Sequence, residues 1–160
     1  MRQGFPGRVW TLWAVLAVAP AAEAKDGYAM TWQKRDHAQG VDLIGCVDCN
    51  PYTGDMPCST ALPILCIRQD GSAVPPGVSP DFYNGWAEGN VATTLPVLGG
   101  TLTSLAIANK LCTSALGDGW RMAQFHHPQG GWNWYAYGNV RTDKRFWVYI
   151  RDQPANCWNP

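Results

Sequence analysis

Cysteine content constrains this chain more than any other feature of its sequence. The 160 residues contain six cysteines: Cys46, Cys49, Cys58, Cys66, Cys112 and Cys157. This even number follows an N-terminal segment that predicts export into an oxidising compartment, where the cysteines of small proteins pair. Six cysteines can pair in many ways, and their spacing alone does not choose among them. We therefore expect a domain stapled by up to three disulfides.

The N-terminal segment has the three parts of a secretory signal peptide. Arg2 and Arg8 supply positive charge, residues 9–19 form a mostly apolar run, and Ala22-Glu23-Ala24 matches the small-x-small pattern that precedes cleavage. The apolar run is short for a bilayer-spanning helix, which needs roughly 20 residues. We expect residues 1–24 to be removed and residues 25–160 to form one secreted or periplasmic domain without a membrane span.

The expected mature part is almost neutral. It carries 10 basic and 11 acidic residues, scattered along the chain. Proteins that bind nucleic acid or anionic lipid through bulk electrostatics have a clear excess of basic residues. We therefore expect no nucleic-acid partner.

A zinc site is the alternative use of these cysteines. Cys46 and Cys49 form a CxxC pair, which supplies half of a four-thiolate zinc site. Cys58 and Cys66 would have to supply the other half, but seven residues separate them where such a site has about two to four. This spacing favours disulfides over zinc.

The hydrophobic pattern predicts an α+β fold with one main helix. Apolar residues recur at three- and four-residue spacing over 102–116, with Thr101 or Thr103 as the cap and Gly117 as the stop. A loop rich in proline and glycine occupies 71–80. Strand patterns occupy 62–67, 90–97, 120–125, 132–137 and 145–151. Because the last three follow one another after the helix, we expect an antiparallel C-terminal meander.

Two stretches near the C-terminus carry a resemblance to a known fold family. They are LCTSALGDGWRM at 111–122, and RFWVYI at 145–150, which leads to NCW at 156–158. Together they resemble a divergent C-type lectin-like domain, in which a helix with a cysteine precedes a glycine-rich turn and a late strand leads to a closing cysteine. The tail is also similar to small secreted bacterial proteins that end in a DQPANCW-type sequence. The resemblance covers about 102–158 and implies a compact C-type lectin-like fold.

The resemblance also implies a disulfide pattern and a kind of function. It pairs Cys112 with Cys157, and leaves Cys46, Cys49, Cys58 and Cys66 to pair among themselves. Calcium-dependent members of the family carry an EPN or QPD motif and a later WND motif, which QPAN at 153–156 and CWN at 157–159 only partly match. We therefore expect no metal and no cofactor. The fold by itself does not select a ligand.

No motif in the sequence predicts catalysis. His126 and His127 lie in an expected turn without an HExxH pattern, and there is no G-x-S-x-G elbow and no P-loop. The acidic residues show no spacing typical of a glycosidase pair. We therefore expect a protein that is not an enzyme.

The aromatic residues favour ligand binding. Seven tryptophans and six tyrosines follow residue 24, and such rings combine an apolar face with a polar tip that suits stacking on sugars. We expect a recognition module that binds a glycan or cell-surface polymer, or else a structural or assembly protein of the bacterial envelope or an extracellular appendage, with a protein partner. The expected binding residues are Trp134, Tyr135, Tyr137, Trp147 and Tyr149, with Arg121, Asn133 and Arg145 as polar partners. The alternative is that all of these rings pack in the core or against one another across strands.

Overall fold

Residues 27–126 and 131–159, which the computed structural model describes, form one α-helix and a curled, mixed sheet of seven strands. This confirms the α+β class; the expected signal peptide lies outside the described residues. In chain order the elements are β1 (Tyr28–Ala29), β2 (Thr31–Ala38), β3 (Val41–Gly45), β4 (Met56–Pro57), β5 (Ala61–Leu62), β6 (Leu65–Gln69), β7 (Asn84–Thr93), β8 (Val97–Leu98), α1 (Leu105–Leu116), β9 (Arg121–Met122), β10 (Asn133–Tyr137) and β11 (Arg145–Trp147).

The strand order of the large sheet differs from the expected meander. The order is β11-β2-β3-β10-β7-β6-β9, with β7 and β10 parallel and the other neighbours antiparallel. The expectation of a C-terminal meander is wrong, because β9, β10 and β11 each pair with strands from earlier in the chain. Two small sheets, β1-β4 and β5-β8, complete the strand pairing of the described residues.

The hairpin of β2 and β3 supplies the strands that separate β11 from β10. Its two-residue turn is Gln39-Gly40, with φ of 53° and 77°, and such turns match the right-handed twist of the strands that they join. Trp32 in β2 and Ile44 in β3 are fully buried. The hairpin therefore lies in the interior of the sheet, between β11 and β10.

The helix α1 is shorter at its start than its hydrophobic pattern predicts. Ser104 caps the helix: its Oγ accepts a hydrogen bond from the Ile107 backbone N–H at 3.2 Å. The expected caps, Thr101 and Thr103, lie before this point. Gly117 ends the helix with φ of 99°, a conformation that favours glycine. Ala108 and Cys112 are the buried residues of the helix.

The three disulfides of the described residues pair differently from the resemblance. They join Cys46 to Cys49, Cys58 to Cys157 and Cys66 to Cys112, with Cα separations of 5.1, 5.7 and 5.8 Å. The implied bond between Cys112 and Cys157 is therefore wrong, and so is the expectation that the first four cysteines pair only among themselves. The alternative of a zinc site fails for the same reason, because its four cysteines are all in disulfides.

The packing of the helix explains this pairing. The short strand β9 pairs with β6 at Cys66 and Ile67, and α1 contacts β9 through the bond from the Met122 N–H to Asn109 Oδ1 at 2.9 Å. This arrangement places Cys112 over Cys66. Cys157 lies beside Cys58, and Cys58 belongs to the segment between β4 and β5.

Asp42 is the centre of a buried charge cluster. Its Oδ1 lies 2.9 Å from Lys34 Nζ and 2.6 Å from His37 Nδ1, while its Oδ2 accepts a bond from the Val140 N–H at 2.7 Å. Lys34 Nζ also donates to Asn139 Oδ1 and the Val140 carbonyl. The side chains of Lys34 and Asp42 are 3% and 0% exposed. Because buried charges are tolerated only when paired and hydrogen-bonded, the cluster binds the β2-β3 hairpin to residues 139–140.

We predict that a disulfide that closes a longer loop of the chain contributes more to the free energy of unfolding. The chain-entropy model gives about 4.7 kcal/mol for the loop closed by Cys58–Cys157, against about 2 kcal/mol for the short loop of Cys46–Cys49. The double variant Cys58→Ala/Cys157→Ala should lose correspondingly more free energy of unfolding in urea than Cys46→Ala/Cys49→Ala. Equal losses would contradict this order.

We predict that Asp42→Asn lowers the free energy of unfolding by about 3–5 kcal/mol, because it leaves the buried Lys34 ammonium without a counter-charge. Urea unfolding followed by tryptophan fluorescence measures this loss. The matched control is Asp143→Asn, which removes an exposed partner of Arg141 and should change stability little. A small effect at Asp42 would show that the cluster is not coupled to folding.

Candidate functional site

Half of the residues that the sequence suggests for binding are buried. Asn133, Trp134, Trp147 and Tyr149 are 5%, 0%, 1% and 8% exposed. The Trp134 ring lies 5.5 Å from the Trp32 ring, and the Trp147 Nε1–H donates to the Val97 carbonyl at 3.2 Å. The expectation that these side chains face solvent is wrong, because the curled sheet encloses them in the core.

The other four residues are half-buried; Tyr135 and Tyr137 lie on β10, whereas Arg121 and Arg145 lie at opposite edges of the sheet. The Tyr137 hydroxyl donates to the Ala73 carbonyl at 3.3 Å, and Tyr135 lines a small cavity beside His37. Arg121 donates to Gln69 Oε1 at 2.5 Å, whereas Arg145 contacts residues at the opposite edge of the sheet, as described below. The structure therefore does not bring the expected binding residues together as one surface.

A different cleft does bring exposed aromatic rings together. It has a volume of about 220 Å³, and within it Tyr52 and Trp132 are 60% and 40% exposed. The buried residues Phe125 and Ile150 form apolar lining beside them. We call this the Tyr52–Trp132 cleft; its lining residues are Pro51, Tyr52, Phe125, His126, Gly131, Trp132, Ile150, Asp152 and Gln153.

A preformed turn holds Tyr52 in the cleft. Asn50 Oδ1 accepts bonds from the backbone N–H groups of Tyr52 and Thr53, both at 3.0 Å, and the Asn50 carbonyl accepts one from Gly54 at 3.0 Å. Such an Asx turn is favoured by an asparagine at its start. The stretch from Asn50 to Asp55 thus places an aromatic ring on a surface turn that is stabilised by hydrogen bonds to the Asn50 side chain and carbonyl.

Trp132 is held from both sides by neighbouring strands. Its carbonyl accepts a bond from the Cys46 N–H at 2.9 Å, and the adjacent Gly131 N–H donates to the Phe82 carbonyl at 3.1 Å. The Phe125 ring packs edge-on against the Trp132 ring, with 5.4 Å between centroids. These contacts fix the ring while leaving part of it accessible to a ligand.

Polar groups line the same cleft. His126 Nε2 lies 3.3 Å from Asp152 Oδ1, and both side chains are exposed. Gln153 follows Asp152 at the cleft wall. A carboxylate, an imidazole and an amide together provide hydrogen-bond acceptors and donors. Next to aromatic rings, this combination suits a ligand with both apolar faces and hydroxyl groups.

A second pair of exposed aromatic rings lies near Trp132. Phe82 and Tyr83 are 74% and 60% exposed, and Tyr83 accepts a bond at its carbonyl from the Asn133 N–H. Asp81 shapes this turn by accepting bonds from the N–H groups of Tyr83 and Asn84. The Asn84 side chain, with these backbone groups, lowers the pKa of the Asp81 carboxyl from its ordinary value. The Asp81 carboxyl therefore stays charged to a lower pH than an ordinary aspartate does.

One larger cavity offers less directional chemistry. It has a volume of about 510 Å³ and is lined mostly by apolar atoms, with Leu95, Leu116, Arg141 and Lys144 among its walls. It contains no aromatic ring, and Arg141 is already paired with Asp143 at 2.6 Å. Another cavity, of about 410 Å³, has Phe82 and Trp86 in its lining, but the Trp86 side chain is buried. The Tyr52–Trp132 cleft is the stronger candidate for a binding site, because both of its named rings are exposed.

Tyr52 and Trp132 were not among the residues that the sequence suggested. The sequence did contain a signal for Tyr52. The turn-forming stretch NPYTGD at 50–55 predicts a surface turn, and an aromatic residue within such a turn is exposed. Trp132 gave no such signal, because its exposure at the start of β10 follows from where the neighbouring strands end.

Among residues 27–126 and 131–159, no three His, Cys, Asp or Glu side chains are grouped so that they could hold a metal ion. In the same ranges, no helix is both long enough and apolar enough to cross a bilayer.

No protein-family model, curated protein or solved structure matches the chain. Its function is therefore inferred from its own residues.

We predict that Trp132 is the tryptophan of the described ranges that acrylamide quenches most readily. Its side chain is 40% exposed, whereas those of Trp120 and Trp158 are half-buried, so Trp132→Phe should lower the quenchable fluorescence more than the same change at either of them. Trp134→Phe, at a fully buried position, should leave that quenchable fraction unchanged. A larger effect at Trp134 would contradict the geometry of the cleft.

Proposed function

We propose that this protein is a secreted or periplasmic binding module that recognises a glycan or cell-surface polymer through the Tyr52–Trp132 cleft, without catalysis at that cleft. The observation that carries the proposal is that two exposed aromatic rings line one cleft with His126 and the carboxylate of Asp152. Aromatic rings stack on the apolar faces of sugar rings, while carboxylate and amide groups bond to hydroxyls. The geometry gives no reason for a nucleic-acid partner.

The size of the cleft supports a polymer as ligand. Sites that enclose a free small molecule have volumes of about 300–1,000 Å³, and this cleft is smaller at about 220 Å³. It suits one unit of a longer chain that continues along the surface. The exposed rings of Phe82 and Tyr83 lie near Trp132, where they extend the aromatic surface for such a chain.

The likeness to C-type lectin-like domains stays a prediction. A cysteine on the main helix agrees with it, but the bond of that cysteine to Cys66 departs from the pairing that the resemblance implies. The proposed binding site does not depend on the likeness, because it is built from residues 50–55, 125–126, 131–132 and 152–153.

We predict that Trp132→Ala and Tyr52→Ala each weaken binding to a polysaccharide ligand by about tenfold, which corresponds to a loss of about 1.4 kcal/mol of stacking and apolar contact. A glycan array identifies the ligand, and isothermal titration calorimetry measures the dissociation constants. Leu95→Ala is the matched control, because Leu95 is exposed but lines a different cavity.

The alternative, a structural or assembly protein, gives different results. It would show a crosslinked protein partner and no response to any polysaccharide. Unchanged affinity in both aromatic variants would contradict the proposed cleft even if a glycan binds.

A further inference from the structure

The three disulfides differ sharply in exposure and in what they contribute. Cys58, Cys66, Cys112 and Cys157 are between 0% and 2% exposed, and their bonds close long stretches of chain, with sequence separations of 99 and 46. Cys46 and Cys49 are half-buried and only three residues apart. Closing so short a loop restricts the unfolded chain least. Chain stabilisation is therefore a weak reason for the Cys46–Cys49 bond.

The loop between these two cysteines is held by contacts other than the disulfide. The Cys46 N–H donates to the Trp132 carbonyl at 2.9 Å, and Arg145 Nη2 donates to the Val47 carbonyl at 3.0 Å. On the other side, the Asn50 N–H donates to Asp55 Oδ1 at 3.2 Å.

The groups that hold the loop are themselves linked. Arg145 Nη2 lies 2.9 Å from Asp55 Oδ2, and Asp55 Oδ1 also accepts a bond from the Thr31 N–H at 3.0 Å. The backbone on both sides of the CxxC pair therefore keeps its anchors when the sulfur–sulfur bond opens. A disulfide in such a setting can cycle between its oxidised and reduced forms without unfolding the domain.

We propose that Cys46 and Cys49 form a thiol–disulfide exchange site whose substrate is a protein or peptide with two cysteine thiols. A substrate thiolate attacks one sulfur of the Cys46–Cys49 bond, which breaks; a mixed disulfide forms, and the other cysteine leaves as a thiolate that takes up a proton. A second substrate thiolate then attacks the substrate sulfur of the mixed disulfide, and the protein cysteine leaves as a thiolate that takes up a proton. The substrate becomes a disulfide by losing two electrons, and Cys46 and Cys49 become thiols by gaining them.

The first test measures which disulfide opens. The folded protein is equilibrated with mixtures of reduced and oxidised glutathione, alkylated, and mapped by mass spectrometry. The proposal expects Cys46 and Cys49 to become alkylated in mixtures that leave the other four cysteines oxidised, with tryptophan fluorescence unchanged. Reduction of all three bonds together, or of another bond first, would overturn it.

The second test measures exchange. Reduced, unfolded ribonuclease is the dithiol probe, and oxidised glutathione restores the disulfide between turnovers. The wild type should accelerate the loss of ribonuclease thiols, and Cys46→Ala/Cys49→Ala should lose the whole acceleration. The single variants Cys46→Ser and Cys49→Ser are first loaded with glutathione as a mixed disulfide. In the variant that keeps the attacked cysteine, a ribonuclease thiolate should displace glutathione and give a protein–ribonuclease disulfide that dithiothreitol releases.

A second control covers the case in which the double variant does not fold. Wild-type protein that is reduced selectively and alkylated at Cys46 and Cys49 should also show no acceleration. If the bond opens but wild-type protein neither accelerates exchange nor yields a trapped complex in either single variant, the proposal is wrong and the disulfide is only structural. None of these results depends on glycan binding, so the two proposals fail separately.

Discussion

Two buried disulfides organise the rest of this structure. Cys58–Cys157 and Cys66–Cys112 lie in one apolar cluster with Trp147 and the buried face of the helix. The packing around them leaves no free space: a Cβ on Gly99 would lie 2.7 Å from Cys157 Sγ and 2.8 Å from the Trp147 ring. Because covalent bonds join the C-terminus to the β4-β5 region and the helix to β6, the curled sheet cannot open at these points. The second apolar cluster, around Trp32 and Trp134, packs within this frame.

The loops that form the candidate site are attached to this frame by polar contacts. Arg145, at the start of β11, contacts both Asp55 and the Val47 carbonyl, so one guanidinium connects the sheet edge to the turn that carries Tyr52 and to the CxxC loop. Trp132 connects to the same loop through the Cys46 N–H. Binding residues on surface loops held by a rigid scaffold are a common arrangement. Here the cleft proposed to bind a glycan and the disulfide proposed to exchange share that support without sharing their chemistry.

The sequence predicted local features better than long-range pairing. The helix pattern and its stop at Gly117 are found, and the α+β class is confirmed. The β2-β3 hairpin was missed because its strands carry charged residues, and the reason for one of those charges, Lys34, is an ion pair with Asp42 that exists only after folding. The predicted aromatic face of β10 failed for a related reason. Alternation along a strand assigns two faces, but in a curled sheet both faces can be covered.

By itself the sequence determined the fold class, the main helix, the loop at 71–80 and the presence of enough cysteines for three bridges, because these depend on residues close together in the chain. Only the tertiary structure decided which cysteines pair, which strands are neighbours and which rings remain exposed. Those properties depend on contacts across long stretches of chain, such as the bond between Cys58 and Cys157, and many pairings of the same local elements satisfy the same hydrophobic pattern. Packing selects one of them, and with it the place where Tyr52 and Trp132 face solvent.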